Sequence, residues 1–235
     1  MSFELFLKTH RTPAISEAER RMLEESVERM VAFRPRQVIV RENVPVTNCT
    51  LVTEGFVERF KDTEEGRRQI LAIHLPGDFV DLHSYPLKRL EHSVAAVTAC
   101  KVAIVPHAAV RAIIERSPVL TELLWRSTMI DAAVNREWIV SLGTRSAAVR
   151  LAHLFCELFV RMERLGMTNG RSFALPLTQV DLGDATGLTA VHVNRMLRRL
   201  RNEGLIEPRP GEIVVLDWPA LQNFAGFDPA YLYLN

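Results

Sequence analysis

Cysteine is scarce in this chain: three in 235 residues, at positions 49, 100 and 156, with no CxxC pair. An odd, scattered set excludes a disulfide framework or a thiolate zinc site as the organising element, and it suits free thiols in a reducing cytoplasm. Long hydrophobic runs are missing as well. No stretch approaches the roughly 18 apolar residues of a membrane span, and MSFELFLKTHR lacks the basic-then-apolar layout of a secretory leader. The expectation is a cytoplasmic protein without a membrane partner. Charge of one sign is not in excess either, since 29 Lys and Arg face 28 Asp and Glu for a net charge of +1. Bulk polycation binding is therefore excluded, and any nucleic-acid contact must come from local clustering. Repeats and low-complexity tracts are also absent. What is present is a globular composition, 48% hydrophobic and 24% charged, long enough for one large domain or two ordinary ones.

Residues 16–33 place Met22, Leu23, Val27, Met30 and Val31 at helical spacing behind Ser16, a good N-cap. From Val38 to Val105 the texture changes to short β-rich runs (QVIV, TLVTEGFVERF, RQILAIHL, FVDL, SVAAVTACKVAIV) separated by turn residues, which predicts a small antiparallel roll or barrel. A short helix, HAAVRAIIER, stops before Pro118. A long helix then runs unbroken to about Gly143, with a hinge at Gly143-Thr144, and a further amphipathic helix spans Ser146 to Leu165. In the long helix Leu120, Leu123, Ser127, Ile130, Val134, Glu137 and Ser141 share an a/d seam. An identical helix from a second subunit is the economical cover for that seam, and burial on its own domain is the alternative.

The most telling stretch is GLTAVHVNRMLRRLRNEGLI, residues 187–206, with four arginines on one short helix. Upstream, Thr178 and Asp181 stand in capping-box positions, with Gln179 opening the first helix of a pair. Gly187 falls where a tight interhelical turn needs positive φ, and Thr189 caps the second helix. Two short helices joined this way make a helix-turn-helix. Val193, Met196, Leu197 and Leu200 form an inner stripe, while Val191, Asn194, Arg195, Arg198 and Arg201 share the opposite face. Arg195 suits guanine O6/N7, Asn194 an adenine, and Ala190 or Val191 a thymine methyl. Arg198, Arg199 and Thr189 suit phosphates, and Thr178, Gln179 and His192 complete the expected DNA-binding set. The following LIEPRPGEIVVLD reads as a β-hairpin wing. A solvated arginine-rich helix would explain the charge alone, but not the cap, turn, stripe, face and wing in order.

Over almost its whole length the sequence resembles the Crp/Fnr family of bacterial transcription regulators. TEGFVERF, LPGDFVDL, SVAAVTACKVAIVP and RSAAVRLAHLFCEL carry the resemblance, and LPLTQVDLGDATGLTAVHVNRMLRRLRNEGLI most specifically. It implies an α+β protein with an N-terminal antiparallel β-roll (jelly roll) sensor at 1–117, a dimerisation helix at 118–143 and a C-terminal winged helix-turn-helix at 144–235. It also implies a homodimer on a palindromic double-stranded DNA site, in contact with RNA polymerase. Members that bind cyclic AMP carry Gly-Glu-Leu and Arg-Ser/Thr. Here GDFVDLHSYPLKRLEHSV is two residues shorter, has no Gly-Glu, and places Leu90-Glu91 where Arg-Ser falls. A glutamate repels a cyclic phosphate, so no cyclic nucleotide is expected, although Lys88 and Arg89 lie nearby. The cysteine cluster of the oxygen-sensing branch is absent, and Val191 stands where many members use a glutamate to read a G·C pair, while Arg195 matches the motif's arginine.

His74, His83 and His92 recur every nine residues, which matches no local ligand motif, so neither haem nor metal is expected. His74 shares a strand face with Ile70 and Ala72, as a structural histidine would. Cys100 reads as core, and Cys49, placed in a turn, as the thiol more open to oxidation. The rival reading, a cupin-like metal enzyme with a helical appendage, needs an H-x-H or Glu-His set that is not found, so no catalytic residues are assigned. The effector is left open.

Overall fold

The computed structural model describes residues 2–10 and 15–234. The chain divides into two compact units: one up to Lys61 together with Ala72–Ala132, and one of Asp62–Leu71 together with Ala133–Leu234.

Along the chain α1 (Glu4–Thr9) and α2 (Glu17–Glu25) precede the strands β1 (Arg29–Phe33), β2 (Val38–Val40), β3 (Asn48–Glu54), β4 (Val57–Asp62) and β5 (Arg68–His74). The one-turn helix α3 (Ser84–Leu87) interrupts them before β6 (Ser93–Ala96) and β7 (Cys100–Pro106), and α4 (His107–Arg116) follows. Every pairing is antiparallel in the sheet β1-β7-β3, and β6 joins β2 to β4 in the second sheet, ordered β2-β6-β4-β5. This is the expected β-roll. Alternation along β3 and β7 sends Leu51, Ala103 and Val105 into one core with Phe3, Phe6 and Leu23, and Val52 and Val102 into another with Val57, Leu90 and Val94.

Three sequence expectations fail here. The helix expected over 16–33 ends at Glu25 and Ser26, whose hydroxyl donates to the Leu23 carbonyl at 2.6 Å. Met30 and Val31 instead pair with β7 opposite Ala103 and Val102. Helical spacing in RMVAF loses to ladder hydrogen bonds, because β-branched and aromatic residues accept either geometry and the neighbouring strand decides. The FVDL run forms no strand beyond the Leu51–Phe79 bridge. Its Asp81 turns inward and accepts from the backbone N–H and the hydroxyl of Thr50. Burial pushes that carboxyl up to about 7 against those hydrogen bonds. Cys49 is also placed otherwise than expected: it lies on β3, wholly buried, and burial raises its thiol far above the ordinary range. It is no exposed redox site. Cys100 is buried on β7, as a core residue should be.

Helix α5 is continuous from Pro118 to Thr144. The second unit continues with α6 (Ala147–Leu165), closed by Gly166 in the left-handed region, then β8 (Thr168–Asn169), β9 (Ser172–Ala174), α7 (Gln179–Thr186) and α8 (Ala190–Asn202). The hairpin β10 (Ile206–Arg209) and β11 (Glu212–Val215) completes an antiparallel sheet ordered β10-β11-β9-β8, followed by α9 (Trp218–Ala225) and a 3-10 turn at Pro229–Leu232. Leu151, Phe155, Leu158 and Met162 recur every three or four residues as the buried stripe of α6.

Glu157, also on α6, is fully buried and accepts from Trp138 Nε1 at 3.0 Å and Tyr231 Oη at 2.9 Å, with Arg161 3.4 Å away. One carboxylate so ties α5, α6 and the chain's last turn. Nearby, His153 stacks on Tyr231 and meets the Phe227 ring edge-on. Burial, aided by Arg145 and opposed by Glu137 at 3.5 Å, pushes its imidazole down to about 4. The unfolded chain then binds a proton below about pH 6.5 that the folded chain refuses until about pH 4, so this contribution is full above that window and lost as pH falls through it. We expect His153→Phe, which keeps the ring contacts, to flatten the decline in melting temperature between pH 7 and pH 4.5. The slope removed is at most about 1.4 kcal/mol per pH unit. A slope identical to that of the parent protein would show that another group sets it.

Candidate nucleic-acid interface

The helix pair of the second unit is built by its ends. Thr178 Oγ1 accepts from the Asp181 N–H, and Asp181 Oδ2 accepts in return from the Thr178 N–H at 2.7 Å, a complete capping box. Gly187 closes α7 at φ +66°. Thr189 Oγ1 caps α8 by accepting from the His192 N–H at 3.2 Å. Arg150 of α6 donates to the Thr186 carbonyl, pinning the turn from behind. A second glycine sets the closeness of the helices: a Cβ at Gly183 would stand 2.4 Å from the Leu188 carbonyl oxygen. Gly183→Ala is therefore expected to destabilise this unit by about 1–3 kcal/mol, the usual cost of overpacking, and to weaken DNA binding. Chemical denaturation checks the first, and an unchanged midpoint would mean the turn can shift freely.

Val193, Met196 and Leu200 face inward, as the inner stripe requires, with Leu197 only partly covered. On the opposite face Val191 is 81% exposed, and Arg195, Arg198, Arg199 and Arg201 are exposed. At 100° per residue Val191, Arg195 and Arg198 fall within about 60° of one another, while Arg199 is turned about 80° from Val191. Their partners separate them further. Arg199 Nε pairs with Glu203 at 2.7 Å and its guanidinium lies 5.6 Å over the Phe224 ring, and Arg201 pairs with Glu207 at 3.1 Å. Among the described residues no acid pairs with Arg195 or Arg198. Two free guanidinium groups thus flank an exposed valine on one helix face, the arrangement that meets base edges and phosphates in a major groove. Of the other expected residues, Thr178, Gln179 and Thr189 are exposed, and Ala190, His192 and Asn194 half-buried along α8. The expected face is thus brought together on one element. Sequence reasoning had not singled out Arg150, whose role needs the turn in place, nor Val180, 59% exposed on α7, nor the exposed Arg209 of the wing.

The structure divides the expected seam of α5. Leu120 and Leu123 are buried in the core of the first unit, and Ser141 is buried too. Ser127, Ile130, Val134 and Glu137 are half-covered, and Glu137 is bound to Arg145. Val140 is exposed near the end of α5 (47%), and exposed along one stripe are Trp125 (67%), Met129 (50%) and Ile139 (68%). With Ala132 and Arg136 they repeat every three or four residues, a stripe two positions further along than the one read from the sequence. The core of the first unit took Leu120 and Leu123 from the expected stripe, a choice periodicity does not reveal.

In the β-roll, Leu90 is buried in the core while the Glu91 side chain is 68% exposed beside His92. Lys88 sits over the Tyr85 ring at 4.8 Å. Among the described residues no helix is long and apolar enough to cross a membrane.

Residues 149–224 match the Crp-like helix-turn-helix domain and residues 30–117 the cyclic nucleotide-binding domain. The nitrogen fixation regulation protein FixK of Bradyrhizobium diazoefficiens is 31% identical over 196 residues, 82% of this chain and 80% of its own. Electron transport regulator A of Shewanella oneidensis is 25% identical over 204 residues, 87% of this chain and 81% of its own. Among solved structures, FixK2 from Bradyrhizobium japonicum superposes with a TM-score of 0.76 at 26% identity, covering 83% of this chain and 96% of that one. A β-roll, a long helix, and a winged helix-turn-helix with free arginines on its second helix agree with these likenesses, and the chain belongs to the Crp/Fnr family of DNA-binding transcription regulators.

Proposed function

We propose that the protein binds a palindromic operator as a homodimer, inserting α8 of each subunit into the major groove, and that its β-roll does not take a cyclic nucleotide. The α8 face carries the reading: among the described residues Arg195 and Arg198 have no acidic partner, and they flank the exposed Val191. Arg195, Asn194 and Val191, with Ala190, read base edges. Arg198, Arg199, Thr189, His192, Thr178 and Gln179 hold the backbone, which fixes register. The dimer rests on the α5 stripe, and the protein acts by occupying DNA beside RNA polymerase, not by catalysis. The half-sites are centred about 10 base pairs apart, because a twofold dimer meets one face of the duplex at successive turns. Selection of bound sequences from random duplex DNA tests this. A two-fold-related motif with that spacing is expected, and retention of no motif at all would reject the reading.

The sensor half of the proposal rests on Glu91, an exposed carboxylate at the position where a cyclic phosphate would need a cation. Cyclic AMP and cyclic GMP are expected to leave melting temperature and DNA affinity unchanged. A ligand present at 100 times its Kd stabilises a fold by about 2.7 kcal/mol, so thermal shift would expose real binding. A rise at micromolar nucleotide would contradict the assignment.

A further inference from the structure

Nine-residue spacing gives the β-roll histidines no local ligand motif, but the fold brings two of them together. His83 lies just before α3, and Glu91 and His92 lead into β6. One potential ligand atom from each of the three lies within 4.8 Å of the other two. The His92 ring is buried at 2% exposure, and its Nδ1 faces Glu91 Oε1 at 2.9 Å. Its buried Nε2 has no hydrogen-bond partner among the described residues. The His83 ring stands 5.5 Å from that of His92. Glu91, with its side chain 68% exposed, supplies the open side of the cluster.

The surrounding charge bears on what such a cluster holds. Arg59 is one nearby cation, with Asp131 paired to its Nη1 at 3.0 Å and its Nη2 donating to the Val80 carbonyl at 2.6 Å, and Lys61 is another, its Nζ donating to the Glu91 backbone carbonyl at 3.1 Å. A carboxylate at the mouth repels anions and attracts a cation.

We propose that His83, Glu91 and His92 form a binding site for a divalent transition-metal cation, with solvent completing its coordination. Two imidazole nitrogens and one carboxylate oxygen favour Zn2+ or its neighbours Fe2+ and Co2+ over Mg2+ and Ca2+, which prefer all-oxygen sets. Around a tetrahedral ion with bonds of about 2.0–2.1 Å, ligand atoms stand about 3.4 Å apart. The 2.9 Å between His92 Nδ1 and Glu91 Oε1 is already close to that, and binding through this nitrogen requires rotation of the Glu91 and His83 side chains to close the remaining gaps, within 4.8 Å. Three chain ligands leave a position open to solvent, the pattern of a responsive site more than of a structural one.

Metal binding is measurable on the full-length protein without DNA, so its failure and the failure of the operator reading are separate results. The protein is stripped with a chelator, exchanged into chelator-free buffer, and titrated with Zn2+ by calorimetry and with Co2+ by visible absorption. One ion per chain is expected, with cobalt bands of nitrogen–oxygen ligation. His83→Gln and Glu91→Gln should each weaken binding roughly tenfold or more, while Glu64→Gln, on the exposed turn after β4, leaves it unchanged. Glu91→Gln alters an exposed side chain, and its metal-free melting curve, matching that of the parent protein, certifies the fold. No binding at micromolar metal, or binding that both variants leave unchanged, overturns the proposal.

Discussion

Arg195→Ala is expected to cost about 1–3 kcal/mol per half-site at the selected operator and to relax preference at one base pair in each half. The expectation follows from two facts about one side chain. Arg195 projects one turn after the N-terminal Val191 on the exposed face of α8, and among the described residues no acid pairs with its guanidinium. Arg199 differs on both counts, being rotated to the flank and already paired with Glu203 over the Phe224 ring. Arg199→Ala should therefore weaken all sequences about equally and make the salt dependence shallower by roughly two per dimer, one phosphate per subunit. The existing Glu203 pair makes this loss the smaller of the two, because contact with a phosphate must first compete with a carboxylate. Binding selections at two salt concentrations with both variants measure both effects. An Arg195→Ala motif identical to the parent's, with a changed motif for Arg199→Ala, would reverse the assignment of the two faces.

Lysine at Met129 and Ile139 together is expected to give a monomer and to reduce operator affinity by on the order of 100-fold to 10,000-fold, the advantage lost when the second half-site no longer binds as part of the same molecule. Both side chains are half or more exposed on one stripe of α5, so lysines there leave the chain's own cores untouched. Charges facing each other across a twofold axis would oppose association directly. Light scattering and circular dichroism check the two parts of this expectation. A dimer that persists in the folded double variant would move the interface off this stripe. Lysine at Leu120 or Leu123 is no equivalent test, since those side chains are core residues of the β-roll and their loss would unfold it.

The sequence by itself determined the elements whose signals are local. The Thr178–Asp181 box, Gly187, the Thr189 cap and the 3.6-residue stripe of α8 lie within about two dozen residues, and each acts on its near neighbours, so spacing alone specified the helix pair and its exposed face. The turn-punctuated β runs likewise announced the roll. Tertiary structure decided whatever depended on competition between distant partners. RMVAF became a strand because β7 offered it a ladder, and Cys49 became core because β3 runs through the middle of one. Of the two apolar stripes of α5, the β-roll claimed the one through Leu120 and Leu123 and left Trp125, Met129 and Ile139 to solvent. His83 and His92, nine residues apart, met only because α3 and the entry to β6 fold back on each other. Local hydrogen bonds and helix periodicity are written in neighbouring residues, whereas burial is awarded among segments far apart in the chain, and only the folded molecule shows which segment received it.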